Sequence, residues 1–406
     1  MATKGNFIGA VEIGTSKVSV LIGEVLGRRQ LNIVGLGQSS SRGIVKGDVI
    51  DFKAASDCTH AAIMRAEQLA GVKVDSVFLA QTGGHLAGFV QEAGVNVSSA
   101  DNQVTRDDLE QVIALARGKE LPADRLVIHH IRRPFRLDGR SVANPEHLNG
   151  QRLDVAYWTV HGDKAKVSDP IRIINGFMLQ VEEVVLASLA SGAIVTTEED
   201  RLNGVLLVDV GRGTTDWALY QEGRAFQTGT VPIGGDHITN DLSLGLRLTA
   251  AQAEAVKTRY GRATVQANRT EKVMLNGDFA IGDKLLTRLA IDQIVTARVE
   301  EIFHVVKRSA GTTAALLRPE TLRAGVVITG GTSRLPQIDE AAARVLGVSA
   351  RVGEMPEWVR TDLRDPSFAT VLGLLHYGLQ CRQVRRAAPG PVSNFIRQLS
   401  RYFSPS

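Results

Sequence analysis

The stretch Leu206-Leu207-Val208-Asp209-Val210-Gly211-Arg212-Gly213-Thr214-Thr215-Asp216 decides how the rest of the chain is read. Its apolar run predicts a buried strand that ends in a carboxylate, passes through a glycine-rich turn carrying hydroxyls, and returns as a strand over 217–220. Glycines in such a turn let backbone N–H groups line a concavity for phosphate oxygens, and the hydroxyls add donors. A carboxylate at the strand end faces a phosphate-bound Mg²⁺, directly or through its waters. Alone, the stretch is equally well an ordinary hairpin.

A second copy separates the two readings. Phe7-Ile8-Gly9-Ala10-Val11-Glu12-Ile13-Gly14-Thr15-Ser16-Lys17 repeats the apolar strand, acid, glycine and hydroxyls, with a return strand over 18–25. Gly27-Arg28 then turns the first hairpin into 31–36, and Glu222-Gly223-Arg224 turns the second into 225–231. Internal duplication on this scale predicts two like domains that clamp one nucleotide from either side.

The composition fits. A chain of 406 residues, 44% hydrophobic and 22% charged, has material for two or more cores. Low aromatic content and 40 glycines suit an α/β protein with many turns. Cys58 and Cys381 are far apart and form neither a disulfide framework nor a metal set, so a reducing compartment is expected. Glu12 precedes any signal-length apolar core, and the most apolar long run, 177–195, is interrupted by Gln180, Glu182 and Glu183. Neither a leader nor a membrane span is expected. The net charge of +4 is spread along the chain with no basic stripe, which argues against nucleic acid as a partner.

Between the two copies, a helix is expected over 51–69, closed by Gly71, and then a strand over 74–80. From 84 to about 160 the texture is that of a small α+β unit inserted into the first half. Thr105-Arg106-Asp107-Asp108 resembles a helix cap, and strands are expected over 125–131 and 153–160. His129-His130 lies in one of those strands, where neighbours point to opposite faces and do not chelate together. Asp169-Pro170 is expected to open a helix that Asn175-Gly176 closes, and Glu198 to Arg201 forms a charged crossing into the second half. There Thr249-Ala250-Ala251-Gln252 starts a helix on which Glu254 and Lys257 share a face. They are either a solvated ion pair or a pair reaching the ribose and base of a nucleotide. A long helix over 283–307 follows. Last comes Gly325-Val326-Val327-Ile328-Thr329-Gly330-Gly331-Thr332-Ser333-Arg334-Leu335-Pro336, an apolar strand ending in paired glycines before a helix over 337–345.

Two acid–glycine–hydroxyl hairpins followed by strand–Gly–Gly–helix resemble the actin/Hsp70/sugar-kinase superfamily. Within it the chain is similar to the FtsA family of bacterial actin-like cell-division proteins. The supporting residues are Glu12 to Val18, Ser41-Arg42-Gly43 with Lys46-Gly47, Asp209 to Asp216, Ala253-Glu254 with Lys257, Ile328 to Gly331, and Gly373-Leu374-Leu375-His376-Tyr377-Gly378. The resemblance implies an α/β, actin-like (ribonuclease H-like) two-domain ATPase fold with an inserted small α+β subdomain. It divides the chain into 1–84 and 163–198 (first domain), 85–162 (insert), 199–235 and 305–381 (second domain), 236–304 (its own subdomain), a linker over 382–391 and a terminal helix over 392–404. It implies ATP and Mg²⁺ as cofactors. Nucleotide contacts would come from Gly14, Thr15, Ser16, Lys17, Asp209, Gly211, Arg212, Gly213, Thr214, Thr215, Gly235, Glu254, Lys257, Gly330, Gly331, Thr332 and Arg334, with Glu12 and Asp209 toward the metal, directly or through water. Glu12 stands where most of the superfamily has Asp, and Arg212 where a glycine is expected. Both departures bear on hydrolysis more than on binding, so at most weak ATPase activity is implied.

The tail carries its own signal. Pro389-Gly390-Pro391 reads as a linker, and beyond it Val392, Phe395, Ile396, Leu399, Tyr402 and Phe403 share one helical face, with Arg397 and Arg401 on or flanking the other. This predicts an interfacial membrane helix, against the plainer reading of a helix docked on its own protein. Each Arg adds roughly 1 kcal/mol at an anionic surface, and ordering a residue costs on the order of 1 kcal/mol. One copy is therefore marginal, and a polymer presenting many tails converts weak binding to avidity. The resemblance implies filaments on the inner face of the cytoplasmic membrane at the septum, which tether the tubulin homologue FtsZ through about 236–304 and meet downstream division proteins through 85–162. Two alternatives share the nucleotide motifs: a pilus-assembly adaptor of the PilM type, which does not need the lipid-facing tail, and a small-molecule phosphotransferase. The latter needs a base in the cleft, for which Asp216 and Asp236 are candidates.

Overall fold

In the computed structural model, residues 6–27, 30–268, 270–275 and 284–387 are described. The first hairpin pairs β1 (Phe7–Ile13) with β2 (Lys17–Val25), Glu12 opposite Ser19, and β3 (Leu31–Ser40) lies on the far side of β2. A short hairpin, β4 (Ile44–Val45) and β5 (Asp48–Val49), turns at Lys46 and Gly47, both at positive φ as a tight turn demands. The expected helix is α1 (Phe52–Ala70). Asp51 accepts a hydrogen bond from the Ala54 N–H, and Gly71 closes the helix at φ 67°. β6 (Ser76–Gln81) then joins β1 in parallel.

The inserted unit comprises β7 (Ala87–Asn96), α2 (Arg106–Arg117), β8 (Arg125–Arg132), β9 (Phe135–Leu137), β10 (Arg140–Val142) and β11 (Arg152–Asp163). Thr105 and Asp108 form the capping box read from the sequence. The strands make an antiparallel sheet with α2 on one face, around Val95, Val112, Phe135, Leu153 and Tyr157. The other face sends Trp158 to the second half, where its Nε1 donates to Thr228 Oγ1 at 3.2 Å.

The chain returns through α3 (Lys164–Asn175), β12 (Gln180–Leu186), which is parallel to β6, and the buried α4 (Ala187–Val195). Here the structure corrects the expectation that Asp169-Pro170 opens a helix. Asp163 accepts from the N–H groups of Ala165 and Lys166 and starts α3 earlier, with Pro170 inside it. The cap outweighs the one bond that Pro170 withholds.

The second half opens on α5 (Glu198–Asn203), a short helix in the charged crossing. β13 (Val205–Val210), β14 (Thr215–Gln221) and β15 (Arg224–Val231) follow, then α6 (Gly235–Leu246) and α7 (Ala250–Tyr260), the latter capped by Thr249 and Gln252. β16 (Lys272–Leu275) pairs with β17 (Lys284–Thr287). α8 (Arg288–Ser309), β18 (Val326–Thr329), α9 (Ile338–Leu346), β19 (Ala350–Val352) and α10 (Ala369–Ala387) complete the chain.

The two main sheets run β12-β6-β1-β2-β3 and β19-β18-β13-β14-β15. Each has three antiparallel hairpin strands followed by parallel ones. The duplicated sequence has become a duplicated topology. α4 and α10 are shared between the halves, in a core that joins Ile8, Leu21 and Phe78 to Leu207, Tyr220 and Val327. They pack so closely that a Cβ on Gly373 would lie 1.8 Å from the Ala190 carbonyl oxygen.

α10 also corrects the expected linker, because it continues through Ala387. Arg382 to Ala387 contains no helix breaker, and Pro389 is the first residue that cannot extend the ladder. The expected membrane-binding residues Val392 to Phe403 lie outside the described residues. No helix among the described residues is long and apolar enough to cross a membrane. Cys58 and Cys381 are buried and are not joined in a disulfide.

Candidate functional site

The two turns adopt one geometry. Gly14 N–H donates to the Lys17 carbonyl at 3.1 Å, and Gly211 N–H donates to the Thr214 carbonyl at 2.9 Å. They meet across a cleft of about 460 Å³ between the halves, lined by Gly14, Thr15, Ser16 and Lys17 on one side and Gly211, Arg212, Gly213 and Thr214 on the other. At the mouth the approach is tight: a side chain on Gly213 would come within 2.6 Å of Thr15 Oγ1. The second turn is braced from behind, since the Gly211 carbonyl accepts from Gly235 N–H at 3.0 Å and from Thr332 Oγ1 at 3.0 Å. Arg212 turns outward to Asp236 at 2.6 Å.

Gly235, Gly330, Gly331, Thr332 and Arg334 also line the cleft. Gly330 needs its lack of a side chain. It sits at φ 88°, and a Cβ would lie 2.3 Å from Asp209 Oδ1. Lys17 Nζ donates to Ser367 Oγ at 2.9 Å and lies 4.0 Å from the Phe368 ring centroid.

Three carboxylates converge at the strand ends. Burial, reinforced by Asp209, pushes Glu12 up to about 8 against the opposing pull of Lys17. Burial and Asp216 raise Asp209 to about 7, with hydrogen bonds from Ser191 and Thr370 opposing. Asp216 is raised by burial to about 6, although hydroxyls of Thr230, Thr82 and Thr214 hydrogen-bond to it. Glu12 Oε2 is buried without a partner. Lys17 is lowered by burial, with Glu12 and Asp365 working the other way.

Farther along the cleft, Glu254 and Lys257 are more than a solvated pair. The Lys257 side chain is only 10% exposed, and its Nζ donates to Glu254 Oε2 at 2.7 Å, Thr239 Oγ1 at 2.9 Å and the Gly235 carbonyl at 3.2 Å. Burial raises the Glu254 carboxyl, but hydrogen bonds from Lys257 and Thr239 outweigh it and hold the group below its usual range. On the opposite rim, Arg334 pairs with Asp365 and donates to Ser367 Oγ at 3.1 Å.

One expected site residue falls elsewhere. Thr215, in β14, is fully buried and turns away from the cleft, donating through Oγ1 to the Ile233 carbonyl at 2.8 Å. Strand alternation sends Asp216 toward the cleft and Thr215 away from it. Sequence reasoning missed Thr82, Ser367 and Thr370, all of which line the cleft. Thr82-Gly83-Gly84 after an apolar strand repeats the strand–hydroxyl–glycine signal and was there to be found. Ser367 and Thr370 follow Asp365-Pro366, an ordinary helix-start signature that does not announce a ligand. Asp236, a candidate base, does not line the cleft, whereas Asp216 does. His129 is buried in the core at the Leu186 N–H, and His130 pairs with Thr159. No group of three His, Cys, Asp or Glu side chains among the described residues is arranged to hold a metal ion.

Comparison with known proteins places this architecture. The family model for the cell division protein FtsA matches residues 206–373, and that for the SHS2 domain inserted in FtsA matches residues 83–161. The cell division protein FtsA of Pseudomonas aeruginosa is 35% identical over 386 residues, which cover 93% of this chain and 90% of that protein. That of Escherichia coli is 31% identical and covers 98% of both. Among solved structures, PilM in the PilM–PilN type IV pilus biogenesis complex superposes with a TM-score of 0.63 at 15% identity, covering 92% of this chain and 98% of that one. ADP-bound MreB5 of Spiroplasma citri gives 0.54 at 13%, covering 96% and 100%. These likenesses show the actin-like fold, and the identity to curated relatives over nearly the whole length shows that this chain belongs to the FtsA family of cell-division proteins.

Proposed function

We propose that this chain binds ATP–Mg²⁺ in the cleft, polymerises, and anchors the FtsZ ring to the inner face of the cytoplasmic membrane at the division septum. The observation that carries the reading is the convergence of both glycine–hydroxyl turns and their buried carboxylates on one cleft. The residues fit the group. Backbone N–H groups and hydroxyls at residues 14–16 and 211–214 suit phosphate oxygens, Lys17 supplies positive charge, and the cage of Glu254, Lys257 and Thr239 offers polar atoms for a ribose. The orphaned Oε2 of Glu12 and the raised carboxyls of Glu12 and Asp209 are what a cation relieves. Glu12 and Asp209 would hold Mg²⁺ directly or through its waters. Bound Mg²⁺ would neutralise phosphate charge. The chain's own residues orient the nucleotide and exclude water, and its turnover is weak.

In this reading, residues 1–84 with 163–198 and 199–235 with 305–381 are the two clamping domains. Residues 236–304 meet FtsZ, 85–162 meet downstream division proteins, and 392–404 lie in anionic lipid through Val392, Phe395, Ile396, Leu399, Tyr402 and Phe403, aided by Arg397 and Arg401. The test is co-sedimentation with anionic liposomes, with and without ATP–Mg²⁺, for the full chain and a chain ending at Gly390. The expected result is pelleting of the full chain alone, increased by nucleotide. Equal pelleting of both chains, or of neither, overturns the membrane tether.

A further inference from the structure

Both passages between the first half and the inserted sheet meet at one side chain. The chain enters the insert through Thr82-Gly83-Gly84-His85 and leaves it through Gly162 and Asp163 at the end of β11. His85 fills the junction with its side chain 3% exposed. A Cβ on Gly83 would lie 2.8 Å from its ring, and one on Gly162 would lie 2.9 Å from its Nδ1.

From this junction a line of contacts reaches the cleft. Thr82 Oγ1 lies 2.8 and 2.7 Å from the two carboxylate oxygens of Asp216, so a hydroxyl of the first half donates to a carboxylate of the second. Gln81 Nε2 donates to the Thr82 carbonyl at 3.0 Å and lies 3.3 Å from His85 Nε2. On the insert side, the Asp163 N–H donates to His85 Nδ1 at 3.2 Å.

The ring cannot serve both neighbours. Burial keeps it neutral by lowering its pKa, despite Asp48 and Asp163 nearby and with Lys166 and Arg125 reinforcing the shift. A neutral imidazole has one acceptor nitrogen. With hydrogen on Nε2, the ring accepts from Asp163 and turns that hydrogen toward Asp48 Oδ1, a buried unpartnered atom 3.9 Å away. With hydrogen on Nδ1, it accepts from Gln81 and confronts the Asp163 N–H.

We propose that His85 is a two-position junction through which occupancy of the cleft, felt at Asp216 and passed on by Thr82 and Gln81, sets how firmly the inserted sheet is held. Thr82 and Gln81 are positioning residues. The inference rests on the reading of the cleft as a nucleotide site and adds to it a direction of control, toward the surface carried by residues 85–162.

The test is hydrogen–deuterium exchange of the full chain over residues 86–88 and 161–163, without nucleotide and at saturating ATP–Mg²⁺, for wild type, Thr82→Val and Thr82→Ser. Without nucleotide, Thr82→Val is expected to speed exchange there by about tenfold, the factor that one lost hydrogen bond supports, and Thr82→Ser to restore it. Nucleotide should alter exchange there in wild type and Thr82→Ser but not in Thr82→Val. Gln81→Met, which breaks the next link outside the cleft lining, should repeat both results. ¹⁵N-histidine spectra, with His85→Asn identifying the signal, should show hydrogen moving between the ring nitrogens on nucleotide addition in wild type and Thr82→Ser, and in neither Thr82→Val nor Gln81→Met. Unchanged exchange in nucleotide-free Thr82→Val and Gln81→Met, or a nucleotide response that persists in them, overturns the coupling. A wild-type chain that binds no nucleotide overturns the reading of the cleft instead, and the nucleotide-free comparison still decides the link.

Discussion

Glu12 is a carboxylate in a place that disfavours its charge. Its folded pKa of about 8 stands above the ordinary glutamate value of 4.5, so the native state holds a proton that the unfolded chain releases between those values. The stability this contributes is full below pH 4.5 and is lost as pH rises through about 8. Glu12→Gln carries no charge, so its melting temperature should gain on wild type across that window by about 2 °C or more. Scanning fluorimetry at the two ends checks this, and a gap that does not widen would mean a solvated carboxylate. Mg²⁺ with nucleotide should narrow the gap at the alkaline end, because a cation relieves the same charge. Lys257 makes the opposite case, a cation whose three acceptors are all in place. Lys257→Met should weaken nucleotide binding about tenfold or more, on the order of 1.4 kcal/mol, read by titration with a fluorescent analogue. Unchanged affinity would return Lys257 and Glu254 to the status of a surface pair. The sequence singles out both positions, Glu12 at the end of an apolar strand and Lys257 by its spacing from Glu254, while their roles toward a nucleotide come from the resemblance. Thr215 was misassigned because a list of turn residues ignores that adjacent strand positions face opposite ways.

At the scale of elements, the α4–α10 contact shows how much depends on one missing methyl group. Gly373→Ala would drive its Cβ into the Ala190 carbonyl, and backbone on both sides leaves no flexible atom to yield. The expected loss is about 3 kcal/mol, seen as an earlier urea transition, and both halves should be affected because the two helices are shared. A loss confined to one half would mean separate cores. Helix starts with Thr caps, at Thr105 and Thr249, were readable because the capping hydrogen bonds are local. The start of α3 was not, because Asp163 lies at the end of a strand whose extent depends on pairing with β7 and β8. The end of α10 falls inside the expected linker because residues 382–387 carry good helix formers and no breaker before Pro389.

For the whole molecule, the cleft joins two halves that touch through shared helices and the Thr82–Asp216 bridge. A ligand that binds the folded chain and not the unfolded one stabilises it by mass action. ATP–Mg²⁺ at a hundredfold over its Kd should add about 2.7 kcal/mol, visible as a higher thermal midpoint, and no shift at any concentration would refute nucleotide binding. Spacing and residue type within a few positions were enough for the duplicated hairpins and the inserted unit between them, while many of the residues that line the cleft entered through the resemblance that those hairpins carry. Pairing and packing set the common strand order of the two sheets, bring Thr82, Ser367 and Thr370 to the same cleft, and seat His85 between two competing donors. Those facts depend on contacts between segments far apart in the chain, for which local pattern carries no signal until the sheets pair and the helices pack.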